Sequence, residues 1–381
     1  MFSHIVLKIF VFKGENMNNK VKVVKSEKSW IETAAIDQLE KTAELDGIIK
    51  AVGLPDLHVR KTPVGAAYIT KDIIYPHIIG SDIGCGMALF STGIKRGKFK
   101  FDKMFGKLFR LGGLENIDIC EKIENIDLPF KESLGTIGSG NHFAEFQEVS
   151  EVFDEKAFEE IGMEKSSVYL LVHSGSRGYG EYILQDCIRK HSCQKGLKTD
   201  SEAFKEYWEE HQKALEYARL NRELIAFRLL DTVGGKDDKK LLESVHNSIT
   251  KKEIDDGTIY IHRKGAAPSD VGYIVIAGTR STKSYIIKPE EGLYDYCYSV
   301  SHGAGRRWPR FDCKKRLQHV YEDKVLRERK LASTLICKDK NVVYEEAPEA
   351  YKSIEKVVED MLNEKMIKLV ASLNPLITYK V

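Results

Sequence analysis

The hydrophobic pattern of the chain predicts three helices. Apolar residues recur at helical spacing over 30–45, and a Gly- and Pro-containing stretch at 53–58 follows, which indicates a helix that leads into a loop. A longer amphipathic pattern runs over 204–229 and ends at a pair of glycines, as is typical of a packed surface helix. A third helix is expected to begin near Pro348, because the fixed backbone angle of proline suits a first helical turn.

Runs of β-branched and aromatic residues bounded by glycine or charge predict strands at 66–70, 87–91, 168–172, 258–261 and 376–380. Two of these strands lead into glycine-containing loops, one at His173 and the other at Arg263. Strands and helices do not alternate regularly, and no repeat or low-complexity linker marks a boundary. The pattern therefore predicts a single α+β domain with mixed β-sheets and flanking helices.

The composition is that of an ordinary soluble globular protein. Of the 381 residues, 42% are hydrophobic and 30% are charged, and the formal net charge is +2. So small a net charge argues against broad coating of a polyanion, although it leaves room for a local basic cleft. The seven cysteines are scattered and include no Cys-x-x-Cys pair, which argues against a disulfide framework and favours a reducing, cytoplasmic setting.

The N-terminal segment predicts neither a secretion signal nor a membrane anchor. The apolar run at 5–12 is short and carries a lysine, and no basic leader or small-residue cleavage site accompanies it. Met17 opens a polar, lysine-rich stretch. We therefore expect residues 1–16 to be an N-terminal extension and 17–381 to be the domain.

Six short motifs carry residues that can bind a metal or attack phosphorus. They are Ser81–Met87, Gly138–Phe143, Val172–Gly178, Val245–Asn247, His262–Ala266 and Ser301–Arg306. Neighbouring glycines remove side chains that would keep a ligand from the backbone, and residues so far apart in sequence can converge only in a folded site. The motifs predict an enzyme.

Five of the motif residues form a mixed set of oxygen, sulfur and nitrogen donors: Asp82, Cys85, His142, His173 and His246. Such a set suits a divalent transition metal, and the thiolate of Cys85 could bridge two ions. The alternative is that each histidine is a hydrogen-bonded core residue. Five donors in similar loops favour the metal site.

His302 differs from the other histidines because it is followed by Gly303–Gly305 and by Arg306, whose guanidinium can bind a phosphate through two N–H groups. It could be a further metal ligand, or a nucleophile whose ring nitrogen attacks phosphorus with Asp56 as its orienting partner. Cationic side chains next to the motifs could bind phosphates, and they are Arg177, Arg263, Lys264, Arg306, Arg307 and Arg310. The alternative for each of them is a solvated surface charge.

Five of these motifs, in this order, resemble the RtcB family of GTP-dependent RNA ligases, and the similarity runs from about Trp30 to Lys380. The resemblance implies an RtcB-like domain around a central metal-binding cleft, two Mn²⁺ ions and GTP. It implies that GTP guanylylates a histidine, that GMP passes to an RNA 3′-phosphate and that an RNA 5′-hydroxyl displaces it. A 2′,3′-cyclic phosphate end would first be hydrolysed to the 3′-phosphate.

Carried onto this sequence, the resemblance makes His302 the guanylylated nucleophile and Asp56 its hydrogen-bonding partner. The implied metal ligands are Asp82, Cys85 and His142 for one manganese ion, and Cys85, His173 and His246 for the other. The implied GTP contacts are Asn141, Glu145, His246, Asn247, Gly278, Thr279, His302, Gly303, Ala304, Gly305, Tyr351 and Lys380. The guanidinium forks predicted to hold RNA are Arg177, Arg263 and Arg306.

Two segments depart from the family pattern. Val59-Arg60-Lys61 replaces a Pro-Gly-containing turn, and Ala277–Thr282 replaces a Pro-Gly-Ser-Met-Gly-Thr segment. The compact length and Arg280 resemble a shorter branch of the family. That branch implies repair of damaged ribosomal RNA and a release-factor homologue as partner. The resemblance to the family leaves tRNA splicing, and an activating accessory protein, as the alternatives. We expect a monomer that does not bind membranes.

Two other classes of function remain open from the residues alone. One is a metal-dependent RNA phosphodiesterase or phosphatase without ligation, and the other is an RNA-end binding module without turnover. His302 discriminates between them and a ligase, because a hydrolase has no need of a guanylylated histidine and a binding module needs neither that residue nor the metals.

Overall fold

The structure is a computed structural model that describes residues 20–124, 128–138, 140–318 and 334–381. The extension predicted at 1–16 lies outside the described residues, so it stays a prediction. In the described part of the chain, no helix combines the length and the apolar character needed to cross a membrane.

The described chain contains both strands and helices, numbered here in chain order. The strands are β1 (Val21–Val23), β2 (Ile48–His58), β3 (Val64–Thr70), β4 (Ile73–Ile74), β5 (Gly86–Lys95), β6 (Phe143–Val152), β7 (Ser167–Ser174), β8 (Leu197–Lys198), β9 (Lys240–Val245), β10 (Asn247–Ile254), β11 (Gly257–Lys264), β12 (Ala266–Pro268), β13 (Ile274–Ile276), β14 (Ser284–Pro289), β15 (Ser299–Ser301), β16 (Thr334–Cys337) and β17 (Ile367–Lys380). The helices are α1 (Thr33–Ala43), α2 (Pro76–Ile79), α3 (Phe101–Leu111), α4 (Cys120–Ile123), α5 (Glu155–Glu160), α6 (Gly178–His191), α7 (Glu202–Val233), α8 (Arg310–Leu317), α9 (Lys340–Glu345) and α10 (Ile354–Asn363).

Two larger sheets form the framework. The first has the strand order β1-β2-β3-β11-β10, and the second has the order β13-β14-β17-β6-β7-β5-β9 with β16 alongside β17. Only the β1–β2 and β16–β17 pairs in these sheets are parallel. Two short pairs, β12–β15 and β4–β8, complete the strands of the described residues. The α+β prediction is confirmed.

Apolar residues cover both faces of the second sheet. Leu170 and Val172 of β7 pack in a core with α3 and α7, whereas Leu171 packs on the other face with α5. A separate core joins the first sheet to α10 and to the β13–β14 edge of the second, with Val52, Ile276 and Ile287 among its members. Strands buried on both faces explain the nearly continuous apolar run at 168–172.

The strand order explains why distant motifs meet. Strands β6, β7, β5 and β9 are neighbours and antiparallel, so the starts of β5 and β6 lie beside the ends of β7 and β9. Phe143 is opposite His173 in this register, and Gly86 is opposite both Ser174 and Val245. The motif residues next to these positions therefore share one edge of the sheet.

Two boundary predictions were wrong. The stretch at 53–58, expected to be a loop, continues β2, and its ladder with β3 is interrupted between Gly53 and His58 because Pro55 cannot donate a hydrogen bond. The helix expected near Pro348 begins only at Ile354, where the Ser353 hydroxyl accepts from the Lys356 amide and caps it. The turn at Pro348–Ala350 is a separate 3₁₀ turn.

Candidate active site

A buried cluster of metal donors lies at the edge shared by β6, β7, β5 and β9. Cys85 Sγ is 3.2 Å from His142 Nε2 and 3.3 Å from His173 Nε2. His173 Nε2 is also 3.2 Å from His246 Nε2. The ligand atoms of Cys85, His142 and His173 all lie within 4.8 Å of one another. Asp82 completes the set, with Oδ2 2.8 Å from His142 Nε2.

The protonation of these groups fits a cation at the cluster. Burial lowers the pKa values of His173 and His246 well below the usual range, so both imidazoles are neutral. Burial and the charge of Asp82 raise the pKa of the Cys85 thiol well above its usual value. A thiolate at this position therefore needs a positive partner. A divalent transition metal supplies that charge and accepts nitrogen, sulfur and oxygen donors together.

The loop that follows β7 leaves room for the Asp82 carboxylate. A Cβ atom on Gly175 would lie 2.1 Å from Asp82 Oδ1, so any larger residue there would displace the carboxylate from this position. Although burial disfavours the charged form, the neighbouring His142 lowers the pKa of Asp82. Asp82 is thus an ionised donor at neutral pH.

Buried polar side chains of helix α7 hydrogen-bond to the loops that carry the metal donors. Arg222 is fully buried, and its Nη1 donates to Gly84 O at 2.8 Å and to Ser174 O at 2.9 Å. Its charge is balanced by Glu243, 2.8 Å from Nη2. Asn221 donates to Gly175 O at 3.2 Å. The helix predicted as a packed surface element therefore also holds the loops that carry Cys85 and His173.

His302 and Asp56 come from the other side of the cleft. Asp56 is fully buried on β2, and its Oδ2 lies 2.7 Å from His302 Nδ1 while its Oδ1 accepts from Ser301 Oγ at 2.8 Å. Burial alone would raise the pKa of Asp56, but the hydrogen bond and charge of His302 outweigh it, and the pKa is lowered. The ionised Asp56 carboxylate accepts a hydrogen bond from Nδ1–H and so favours the tautomer in which Nε2 carries a lone pair.

The His302 ring lies beside the donor cluster, because its centroid is 4.6 Å from that of His246. The chain turns tightly after it: Gly305 has φ 70°, and a Cβ atom there would lie 2.5 Å from Asp56 O. Only glycine allows this approach. The glycines after His302 therefore serve its contact with Asp56 as well as access to the cleft.

A second group of predicted residues lines the cleft at the end of β17. Lys380 Nζ donates to Gly140 O at 3.0 Å and lies 3.4 Å from Glu346 Oε2. Tyr351 donates to the same carboxylate at 2.6 Å. Glu145 is buried nearby and accepts from Gln147 Nε2 at 2.7 Å and from the Thr378 hydroxyl. Burial raises the pKa of Glu145 to about 7.

The remaining predicted GTP contacts also lie at the cleft. The lining includes Asn141, Asn247, Gly278, Thr279, Gly303 and Ala304. Asn247 is already engaged in linking loops, because its side chain donates to Asp82 O at 3.3 Å and accepts from Gly265 N at 2.8 Å. The altered segment at 277–282 keeps a closed turn, in which Thr282 Oγ1 accepts from Thr279 N at 2.7 Å.

The three arginines predicted to hold RNA lie in different environments. Arg177 is half-buried at the loop after β7, where its Nε donates to Thr136 Oγ1 at 3.2 Å. Arg306 lines the cleft, but its guanidinium is held by Tyr351 OH at 3.0 Å and by Glu345 O at 2.8 Å.

Arg263 is 1% exposed and is not among the residues that line the cleft. Its guanidinium donates to Ser299 Oγ, Thr250 Oγ1 and Tyr298 O at 2.9–3.0 Å. The structure therefore places Arg263 in the packing between β11 and β15 rather than on the surface that RNA would contact.

Several cleft residues are not among the site residues predicted from the sequence. They are His58, Arg60, Arg280 and Glu346. Glu346 sits between Lys380, Tyr351 and Arg306 although no motif surrounds it. Arg60 belongs to the altered segment at 59–61, and burial together with the charges of Arg310 and Arg306 lowers its pKa. The altered segment therefore adds a cation to the cleft mouth.

Comparisons with known proteins cover nearly the whole chain. The model of a family described as "tRNA-splicing ligase RtcB" matches residues 38–118 and 112–381. RNA-splicing ligase RtcB2 of Escherichia coli is 40% identical over 373 residues, which span 96% of this chain and 96% of that protein. The tRNA-splicing ligase RtcB of Methanococcus maripaludis is 28% identical over 438 residues, spanning 89% of this chain and 90% of that protein. The matched residues include both Asp56 and Lys380.

Proposed function

Because this chain belongs to the RtcB family of RNA-splicing ligases, we propose that it joins an RNA 3′-phosphate, or a 2′,3′-cyclic phosphate, to a 5′-hydroxyl with GTP and Mn²⁺. One observation carries the proposal: a histidine oriented by a buried carboxylate, His302 with Asp56, lies against a donor cluster centred on Cys85. A metallohydrolase needs the cluster but not the oriented nucleophile.

In the first step His302 Nε2 attacks the α-phosphorus of GTP. The new bond joins nitrogen to phosphorus, the bond to the β-phosphate oxygen breaks, and pyrophosphate leaves. The Asp56 carboxylate accepts a hydrogen bond from Nδ1–H, which keeps that proton on the ring, and it stabilises the positive charge that develops there. Divalent cations held by Asp82, Cys85, His142, His173 and His246 would neutralise the phosphate charge.

In the second step an oxygen of the RNA 3′-phosphate displaces His302 from the GMP phosphorus, and the activated end is then attacked by the 5′-hydroxyl with loss of GMP. Asn141 of the cleft lining and half-buried Arg177 are proposed to orient these phosphates. The cationic group of Arg60 and Arg310 at the cleft supports binding of a polyanion.

The biological setting is proposed from the compact length and Arg280. We propose that damaged ribosomal RNA or tRNA in the cytoplasm supplies the ends. We further propose a monomeric protein with a release-factor homologue or an activating accessory protein as partner.

The experiment that tests the proposal is incubation of purified protein with Mn²⁺ and GTP labelled at the α-phosphate. A phosphorus–nitrogen bond to histidine predicts label on the protein that survives base and is released by acid. Hydrolysis of RNA ends without any labelled protein would instead support the phosphodiesterase or phosphatase alternative.

Binding of the guanine nucleotide is expected to depend on pH through Glu145. In this role the Glu145 carboxylate accepts hydrogen bonds from guanine, so protonation of Glu145 weakens nucleotide binding. Burial raises the pKa of Glu145 to about 7, and the carboxylate is therefore protonated as the pH falls through that value. The Kd for GMP should rise about tenfold as the pH falls from about 8 to about 6. Calorimetric titration at several pH values measures this, and Glu145→Gln should bind weakly with a flat profile. A flat profile for the unaltered protein would exclude this role.

Replacing Arg177 and Arg263 by alanine should separate RNA binding from folding. Arg177→Ala is expected to weaken RNA binding on the order of tenfold and to leave guanylylation intact, because a charged hydrogen-bond donor to phosphate is lost.

Arg263→Ala should lower the free energy of unfolding by about 2–3 kcal/mol, since Tyr298 O and two hydroxyls lose their buried donor. RNA binding and thermal unfolding are measured on both variants. An Arg263→Ala protein of normal stability that no longer binds RNA would restore the sequence-based assignment.

A further inference from the structure

An alternating stack of indole and guanidinium groups lies beside the cleft. Its four members are Trp30, Arg307, Trp308 and Arg316. The Arg307 Cζ atom is 6.0 Å from the ring centroids of both Trp30 and Trp308, and the Arg316 Cζ atom is 5.2 Å from the Trp308 centroid. We call this group the aromatic–arginine stack.

The stack is fixed relative to the reacting groups. Arg307 directly follows Arg306, and both Arg306 and Arg310 line the cleft that contains His302. The backbone amides of Arg307 and Trp308 donate to Ala350 O at 2.8 and 3.2 Å, which anchors this strip next to Tyr351. The stack is therefore joined directly to the cleft lining, through Arg306 on one side of Arg307 and Trp308 and Arg310 on the other.

The stack presents apolar rings to solvent in a strongly basic setting. Trp30 is 52% exposed, and Phe311, which follows cleft residue Arg310, is 83% exposed. The segment 306–316 contains six lysines and arginines and one acidic residue, whereas the net charge of the whole chain is only +2. Within the described residues, Arg307 forms no ion pair with a carboxylate.

We propose that the aromatic–arginine stack and Phe311 form a docking platform for the single-stranded part of an RNA whose end reacts in the cleft. Bases stack on exposed indole and phenyl rings and on guanidinium planes, and the lysines and arginines of the segment 306–316 supply positive charge for the phosphates. An RNA strand matches both properties, because it offers flat bases and a continuous negative charge. The inference rests on the proposed ligation of RNA ends.

The alternative is a structural brace, in which the cation–π contacts only hold the strip at 307–310 in place. The two alternatives differ in whether the affinity for RNA depends on the RNA bases. A platform that stacks bases loses affinity when the bases are removed from the RNA, whereas a brace affects folding stability and is indifferent to the bases.

The test compares the unaltered protein with Trp30→Ala/Phe311→Ala, both of which remove exposed rings. A fluorescent single-stranded RNA of about twelve nucleotides with a 3′-phosphate is the probe, in one form with all bases and in another with abasic sites near the end. The double variant should bind the intact RNA about tenfold or more weakly than the unaltered protein does. Because two of the stacking rings are gone, the double variant should also lose less affinity than the unaltered protein does when the bases are removed from the RNA.

Phe109→Ala is the matched control, because Phe109 is a 64% exposed aromatic residue on α3 with basic neighbours and does not line the cleft. This variant should bind RNA normally. Equal RNA affinity of the double variant and the unaltered protein, or equal sensitivity of both to abasic sites, would overturn the proposal in favour of a brace or of a partner other than RNA.

Two readouts separate this inference from the ligase proposal. GMP labelling of His302 without RNA should be the same in the unaltered protein and the double variant, and ligation by the variant should show a raised KM for RNA with kcat nearly unchanged. If the unaltered protein forms no labelled species and joins no ends, the ligase proposal fails, whereas the binding comparison still decides the role of the stack. If the variant loses labelling itself, the platform proposal fails because the rings then serve the nucleotide site.

Discussion

Replacing His302 with alanine is expected to abolish covalent attachment of GMP to the protein. The imidazole Nε2 is the atom that the Asp56 hydrogen bond leaves with a lone pair next to the donor cluster, and alanine offers no nucleophile. Labelling with α-labelled GTP and Mn²⁺ measures the loss. Asp56→Asn should keep the nucleophile but favour the wrong tautomer, so we expect labelling to slow by about 10²-fold or more.

Metal analysis is the control for this pair of variants. His302→Ala should retain manganese, because the other donors of the cluster are unchanged. Full labelling of His302→Ala would move the nucleophile to another residue. Loss of manganese together with the label would make His302 a metal ligand, which is the alternative that the sequence leaves open.

Cys85→Ser is expected to cost manganese binding and, with it, both catalytic steps. The Cys85 sulfur lies 3.2 Å from His142 Nε2 and 3.3 Å from His173 Nε2, between the two imidazoles, and a serine hydroxyl at neutral pH is a much poorer donor than a thiolate. Loss of an outer-shell partner alone weakens metal affinity by about 10–100-fold, so we expect at least that from loss of a central ligand. Manganese retained after desalting, together with end joining, measures the effect.

Cys297→Ser is the matched control for burial. Cys297 is fully buried in the core shared by the first sheet and α10, and it does not line the cleft. Its replacement should lower stability without changing the metal content of the folded protein. If Cys85→Ser retained two manganese ions per molecule, Cys85 could not be a bridging ligand.

The metal-donor residues could be predicted from the sequence because each lies next to glycines or at the end of a predicted strand, where functional side chains are common. The pattern at 168–172 identified the strand that carries His173, and the structure places that residue near the end of β7 and in the cluster. What the sequence lacked was strand order, and this order, with β5 between β7 and β9, brings Cys85 and His246 together. Neither spacing nor composition encodes it directly.

Residues that act through tertiary contacts were missed for the same reason. Arg222 occupies an ordinary position in the apolar face of α7, and only the packing of that helix against β5 and β7 places it under Gly84 and Ser174. Glu346 has no motif around it. Arg263 was assigned to RNA because it flanks a motif, whereas alternation along β11 turns its side chain into the packing beside Ser299.

Joining of RNA ends with a traceable phosphate tests the ligase proposal most directly. One RNA carries a labelled 3′-phosphate and its partner carries a 5′-hydroxyl, and the protein is supplied with GTP and Mn²⁺. We expect joining only when both GTP and Mn²⁺ are present, with the labelled phosphate retained in the new linkage, because activation occurs at the 3′ end. Joining only of 3′-hydroxyl to 5′-phosphate ends, or release of the label as inorganic phosphate without joining, would contradict this chemistry.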